Sequence, residues 1–228
     1  MRAIYYPSPI DASTTNIILE GEASKHLMVV RVKLGEAVLV LNGKGVRALT
    51  EVISISKNQI ELSVQSFTQS TPSHEISLAI ANPKKEAFED ILKMAVELGV
   101  MNIHPLSSEF SQYDFSPSDR IQRVLESALI QSNNPFFPKI HAQESFDNFL
   151  DKIVTPLYFF NSKDNQSGKV EKISGPRTIL IGPEGGFSAS EEARIMDLPN
   201  AFSIHLPTPI LRAPTAVASS IGYLLYCL

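Results

Sequence analysis

The residues with the strongest chemical character lie near the end of the chain. Gly182-Pro183-Glu184-Gly185-Gly186 follows a four-residue apolar run, Thr178 to Ile181, that reads as a short buried strand. Three glycines in five positions let a backbone take positive φ angles and let another molecule approach the main chain closely. Ser188 and Glu191 then form an S-x-x-E capping box, which starts a helix. Strand, glycine-rich turn and capped helix make a ligand cradle built from backbone groups. A tight strand-to-helix turn without a ligand has the same signature. A Walker-type phosphate loop is excluded because no Lys-Ser/Thr follows the glycines, and the G-x-G-x-x-G spacing of a dinucleotide site is absent.

A second stretch pairs with the first. Ser203 to Leu206 is another short apolar strand, followed by Pro207-Thr208-Pro209-Ile210-Leu211-Arg212-Ala213-Pro214-Thr215-Ala216 and an apolar helix. The prolines fix φ and stiffen the loop. Arg212 is a lone cation among apolar residues; it either faces a specific group or makes a surface ion pair. Both loops leave the carboxyl ends of strands, where open α/β sheets bind ligands. If those strands are neighbours, the loops share one pocket.

The elements that must position these loops show a change of character along the chain. Asn16 to Leu19, Ala37 to Leu41, Val46 to Ser54 and Gln59 to Val64 are β-favouring runs separated by turn residues. Asn42-Gly43-Lys44-Gly45 is a hairpin signal of the kind that favours primed turns. Several short strands at this spacing predict a small barrel. Ala23 to Val32 falls between strands and gathers Lys25, His26 and Arg31. Gln65 to Glu75 is polar, Ser/Thr-rich and broken by Pro72, the expected linker. Beyond it, strands at Ile76 to Ala81, Asn102 to Leu106 and Leu157 to Phe160 alternate with helical patterns. Lys84 to Leu98 carries Phe88, Ile91, Leu92, Ala95, Val96 and Leu98 on one stripe, ended by Gly99. Ser116-Pro117-Ser118-Asp119 opens another helix whose stripe is Ile121, Val124, Leu125, Ala128 and Leu129. Such alternation implies a mostly parallel sheet covered on both faces.

Composition narrows the class. Of 228 residues 43% are hydrophobic and 19% charged, as in ordinary globular proteins. The single cysteine, Cys227, excludes an internal disulfide framework and fits a reducing cytoplasm. The N-terminus has no apolar core of signal-peptide length, and the apolar run from Ala216 to Leu228 is too short to span a bilayer. A net charge of −4 does not by itself suggest a nucleic-acid binder. Residues 1–60, however, carry seven Lys/Arg against five Asp/Glu, a modest basic excess that could contact phosphates or simply be solvated.

G-P-E-G-G-F-S followed by L-x-x-x-I-L-R-x-x-T-A resembles the 16S ribosomal RNA uracil-N3 methyltransferases, members of the SPOUT class of knotted, S-adenosylmethionine-dependent enzymes. The H-L-x-x-V-x-R run from His26 is similar to theirs as well. The resemblance implies an α/β fold: a mostly parallel SPOUT sheet with a C-terminal trefoil knot over residues 71–228, preceded by a small PUA-like RNA-binding β-barrel over residues 1–70. It implies S-adenosylmethionine as cofactor, held by Gly182, Pro183, Glu184, Gly185, Gly186, Leu206, Pro207, Ile210, Leu211, Arg212, Thr215 and Ala216. Arg212 and Glu184 are the candidate catalytic residues, Glu184 with loop ordering as its favoured role. Arg2, Lys25, His26 and Arg31 are candidates for RNA contact. No metal is implied. The expected partner is 16S ribosomal RNA or the small ribosomal subunit, in the cytoplasm, with the protein a homodimer and no membrane involved. The chain departs from the family pattern at Pro207 (usually glycine), at Pro214 (usually glutamate), in Ser132-Asn133-Asn134-Pro135-Phe136-Phe137, a segment that usually contains arginines, and near Ser108-Glu109-Phe110-Ser111, where an arginine is common. These departures keep two other readings open: a SPOUT enzyme acting on transfer RNA, and an RNA-binding module that has lost catalysis.

Overall fold

Alternation of apolar and polar residues builds the first part of the chain. In the computed structural model, which describes residues 1–161 and 174–227, the N-terminal strands are β1 (Arg2–Tyr5), β2 (Asn16–Leu19), β3 (Ala37–Leu41), β4 (Val46–Ile55) and β5 (Ile60–Gln69), with helix α1 (Gly21–Val29) after β2. They form one five-stranded sheet in the order β1-β3-β4-β5-β2. Along β4, Val46, Ala48, Thr50 and Val52 point inward and the residues between them outward. The inward set packs with Leu19, Leu27, Val38, Val40, Ile60 and Leu62, each burial contributing about 1.5–3 kcal/mol for a Val, Leu or Ile. The β3–β4 connection is held by Asn42, whose Oδ1 accepts from the backbone N–H groups of Lys44 (2.8 Å) and Val46 (3.0 Å).

Two elements here were not read from the sequence: β1, and α1 where Ala23 to Val32 stands. Helix α1 ends in a Schellman motif. The Arg31 N–H donates to Met28 O (2.9 Å) and the Val32 N–H to Leu27 O (3.0 Å), with Arg31 at φ 54°.

The second part alternates as expected. It comprises β6 (Ile76–Ala81), α2 (Lys85–Glu97), β7 (Asn102–Ser107), α3 (Asp119–Ser132), β8 (Lys139–Ile140), β9 (Glu144–Ser145), α4 (Phe146–Lys152), β10 (Leu157–Asn161), β11 (Arg177–Ile181), α5 (Ala189–Met196), β12 (Ala201–His205) and α6 (Ala213–Tyr226). Its strands pair in parallel in the order β12-β10-β11-β6-β7-β8, with β9 also on β7. Phe88, Ile91, Leu92, Ala95 and Val96 of α2 are buried, and Gly99 ends that helix at φ 73°. Beside the sheet, α2 and α3 are joined by Glu89, which accepts from Arg120 Nε (2.5 Å) and Nη2 (2.7 Å). That guanidinium holds the Glu89 carboxyl below the usual carboxylate range.

The chain folds as two compact units: Met1–Pro72 with Glu126–Phe137, and Ser73–Leu125 with Pro138–Leu228. The segment 126–137, expected with the second unit, therefore belongs to the first. Its last residues pair with the β3–β4 loop. Gly45 N–H donates to Pro135 O (2.8 Å), Phe137 N–H donates to Gly43 O (2.9 Å), and the Phe137 ring packs edge-on against Tyr5 at 5.0 Å. The strand β5 also runs on to Gln69, into the stretch expected as linker.

Candidate functional site

The two loops singled out from the sequence leave β11 and β12. These strands are not direct neighbours; β10 lies between them. All three run parallel, so their carboxyl ends open on the same side. A cavity of about 290 Å³ lies there. One wall is the β11 loop, Gly182 to Phe187. Leu206, Thr208, Pro209, Ile210 and Leu211 from the β12 loop form another wall. The first turns of α6 add Ala213, Ala216 and Ser220, and the end of β10 adds Phe159, Phe160 and Asn161.

The glycine loop is held by several contacts. Gly186 N–H donates to Pro183 O (2.9 Å), closing a tight turn with Gly186 at φ 72°. A Cβ on Gly182 would sit 3.3 Å from the Phe187 ring, so a larger residue would push against the loop itself. The capping box forms as its sequence implied: Glu191 N–H donates to Ser188 Oγ (3.4 Å), and Ser188 N–H donates to Glu191 Oε2 (2.9 Å). The other oxygen of Glu191 accepts the N–H of Glu109 (2.8 Å), joining the loop after β7 to the start of α5. Glu184 is exposed, and its Oε1 accepts the N–H of Lys84, the N-cap of α2, at 3.4 Å.

Arg212 lies just outside this wall. It is the N-cap of α6, with extended backbone (φ −69°, ψ 153°), and its exposed side chain makes no ion pair or hydrogen bond among the described residues. Pro207 and Thr215 are likewise exposed and not part of the wall. Pro214 occupies the first turn of α6, where a backbone N–H has no helical acceptor, so it suits the helix start.

The walls carry two carboxylates, Glu184 and Glu192, and no Lys, Arg or His among the described residues. A phosphate would be repelled there; a ligand with positive charge is favoured.

The N-terminal candidates lie on the first unit. Lys25 and His26 are exposed on α1, and Lys25 pairs with Glu22 at 2.9 Å. Arg31 is exposed just beyond α1. Arg2 differs from these in being half-buried, and it pairs with Glu36 at 2.7 Å.

The description "RNA methyltransferase domain" matches residues 69–225, and "RNA methyltransferase PUA domain" matches residues 19–65. The chain belongs to the RNA methyltransferase family. Among its relatives is the ribosomal RNA small subunit methyltransferase E of Rickettsia conorii, 27% identical and covering 92% of this chain and 90% of its own. Another is methyltransferase E 2 of Borreliella burgdorferi, 29% identical over 91% of this chain and 89% of its own. The fold is that of the Neisseria gonorrhoeae ribosomal RNA small subunit methyltransferase E, solved bound to S-adenosyl methionine (TM-score 0.88, 24% identity, 99% of this chain and 97% of that one).

Several wall residues of this RNA methyltransferase family member were not read from the sequence: Phe159, Phe160, Asn161, Glu192, Thr208, Pro209, Ala213 and Ser220. Thr208 and Pro209 stand inside the loop already singled out and could have been named. The end of β10 gave no signal, because only the strand order brings it between the two loops.

Proposed function

We propose that this protein is an S-adenosylmethionine-dependent methyltransferase that methylates N3 of a uridine in 16S ribosomal RNA. The observation that carries the proposal is the meeting of the two loops in one cavity at the carboxyl ends of β10, β11 and β12. The cavity fits the cofactor in kind. Leu206, Ile210 and Leu211 offer an apolar slot for an adenine, and the glycine loop offers close backbone approach. The acidic walls suit a cationic sulfonium better than a nucleotide phosphate. When bound, S-adenosylmethionine supplies a methyl group activated by its sulfonium.

The protein's task is then positioning and charge control. Uracil N3 holds a proton at neutral pH and becomes a good nucleophile when that proton is lost. Arg212, exposed beside the cavity and without an ion pair among the described residues, stabilises the negative charge that then falls on the uracil oxygens. Glu184 orders the loop through the Lys84 N–H. Lys25, His26 and Arg31 contact RNA phosphates from the PUA-like unit. Arg2, half-buried and tied to Glu36, contributes less.

The names of the Rickettsia and Borreliella relatives support the small ribosomal subunit as the source of the RNA, and hence a cytoplasmic site of action. Among the described residues no helix is long and apolar enough to cross a membrane. The proposal includes a C-terminal knot and a homodimer packed on α6, whose Tyr226 is 90% exposed. Incubation with labelled S-adenosylmethionine and small-subunit RNA, followed by nucleoside analysis, tests the proposal. 3-Methyluridine is the expected product; its absence while cofactor binds would refute the assignment.

A further inference from the structure

Phe110 has no part in the cavity wall, yet it is placed beside it. It lies in the loop after β7, 40% exposed, and its ring makes no aromatic contact among the described residues. Its Cβ is 3.1 Å from the position a Cβ on Gly185 would take, so the side chain starts directly against the glycine loop. Gly185 in turn lines the cavity.

The turn that presents Phe110 is fixed at several points. Ser108 N–H donates to Ser111 Oγ (2.9 Å), and Ser111 N–H donates to Ser108 O (3.2 Å). Glu109 N–H donates to Glu191, the residue that also completes the α5 capping box. The Phe110 turn and the cradle are thus anchored to one helix start. A large aromatic ring left open on a fixed turn gains little as core, since water still reaches much of it. It does offer a π-face.

A base that is to be methylated at a ring nitrogen inside a base pair must first leave its stack, at a cost of a few kcal/mol. An aromatic face beside the reaction site returns part of that cost, whatever the base. Resting on the function proposed above, we propose that Phe110 is the platform on which the target pyrimidine stacks. It is a positioning residue: it holds the base without touching the proton or the methyl group.

The test compares the protein with Phe110→Leu, Phe110→Ala and Phe110→Tyr. Affinity is measured by anisotropy for a uridine-centred RNA oligonucleotide and for the same oligonucleotide lacking the central base, each with S-adenosylhomocysteine present. Calorimetry gives the cofactor affinity of each variant. Stacking predicts that Leu and Ala weaken binding of the intact oligonucleotide by about tenfold, that Tyr stays within about twofold, and that the abasic oligonucleotide does not distinguish the variants. Cofactor affinity stays level throughout. Equal losses on intact and abasic RNA would overturn the proposal, as would a cofactor affinity that falls in step, since both describe a prop for the loop. These binding readouts do not depend on turnover. Failure of the parent protein to form 3-methyluridine would count against the reaction, whereas flat binding across the variants would count against the platform.

Discussion

Replacing Arg31 by glycine should make this protein more stable and a poorer RNA binder. Helices α1 and α2 end in the same motif. In α2 the left-handed position is Gly99 (φ 73°), with Val100 N–H donating to Ala95 O at 2.8 Å; in α1 it is Arg31 (φ 54°), with Val32 N–H donating to Leu27 O at 3.0 Å. A side chain in that conformation costs about 1–2 kcal/mol. Glycine removes the cost but loses about 0.5–1 kcal/mol through its freer unfolded chain. At the midpoints of these ranges the net gain for Arg31→Gly is about 0.75 kcal/mol. The side chain is exposed and has no ion pair or hydrogen bond to lose among the described residues. Arg31→Ala is the control: it removes the charge and keeps the strain, so its stability should match the parent. Urea unfolding reads the difference as a midpoint shift of a few tenths molar at unchanged slope. If Arg31 contacts a phosphate, both variants weaken RNA binding and lower the salt dependence by about one unit of log–log slope. Arg31→Gly no more stable than Arg31→Ala would refute the strain argument. Unchanged salt dependence in both would remove Arg31 from the RNA surface.

Arg212→Ala should lower turnover by about 100-fold or more while the fold and cofactor affinity persist, because its proposed role is local and electrostatic. Steady-state methyl transfer and circular dichroism check this; unchanged turnover excludes Arg212 from the site. Gly43→Ala should destabilise the first unit by about 2 kcal/mol or more in urea unfolding. Its Cβ would run into the Phe137 ring, and φ is 70° there; a neutral outcome would mean that segment 126–137 is loosely attached. His104 stacks on His141 at 4.1 Å, and burial first, then the His141 charge, lowers its pKa to about 4. Unfolded histidine titrates near 6.5, so the unfolded state takes up the proton first and stability falls from about pH 6.5 towards 4. His104→Phe should flatten that limb, by at most about 1.4 kcal/mol per pH unit; an unchanged acid profile would show that His104 is not its source.

The sequence was most informative where local rules decide structure. Asn16–Leu19, Ala37–Leu41 and Ile76–Ala81 are strands with the boundaries read from apolar runs, and Ser188 and Glu191 form their capping box. It was least informative where the determinant is distant. Met28, Val29 and Val30 favour β structure as a local run, yet Ser24 and Leu27 are buried on one side of α1 and the surrounding sheet decides. Strands of two residues such as Lys139–Ile140 and Glu144–Ser145 are too short for a period to show. The segment 126–137 continues a helix begun in the second unit, so no break in pattern marks where it joins the first. In the candidate site, the tight glycine turn that lines the cavity was legible from glycine spacing. The contribution of β10 depends on strand order, which periodicity does not encode.

The proposed methyl transfer requires that the loops after β11 and β12 enclose one adenosyl-binding cavity. A crystal structure determined with S-adenosylhomocysteine tests it most directly. The adenine is expected between Leu206, Ile210 and Leu211 on one side and the Gly182–Gly186 backbone on the other. A cofactor bound elsewhere, or a cavity holding only solvent at saturating cofactor, would contradict it.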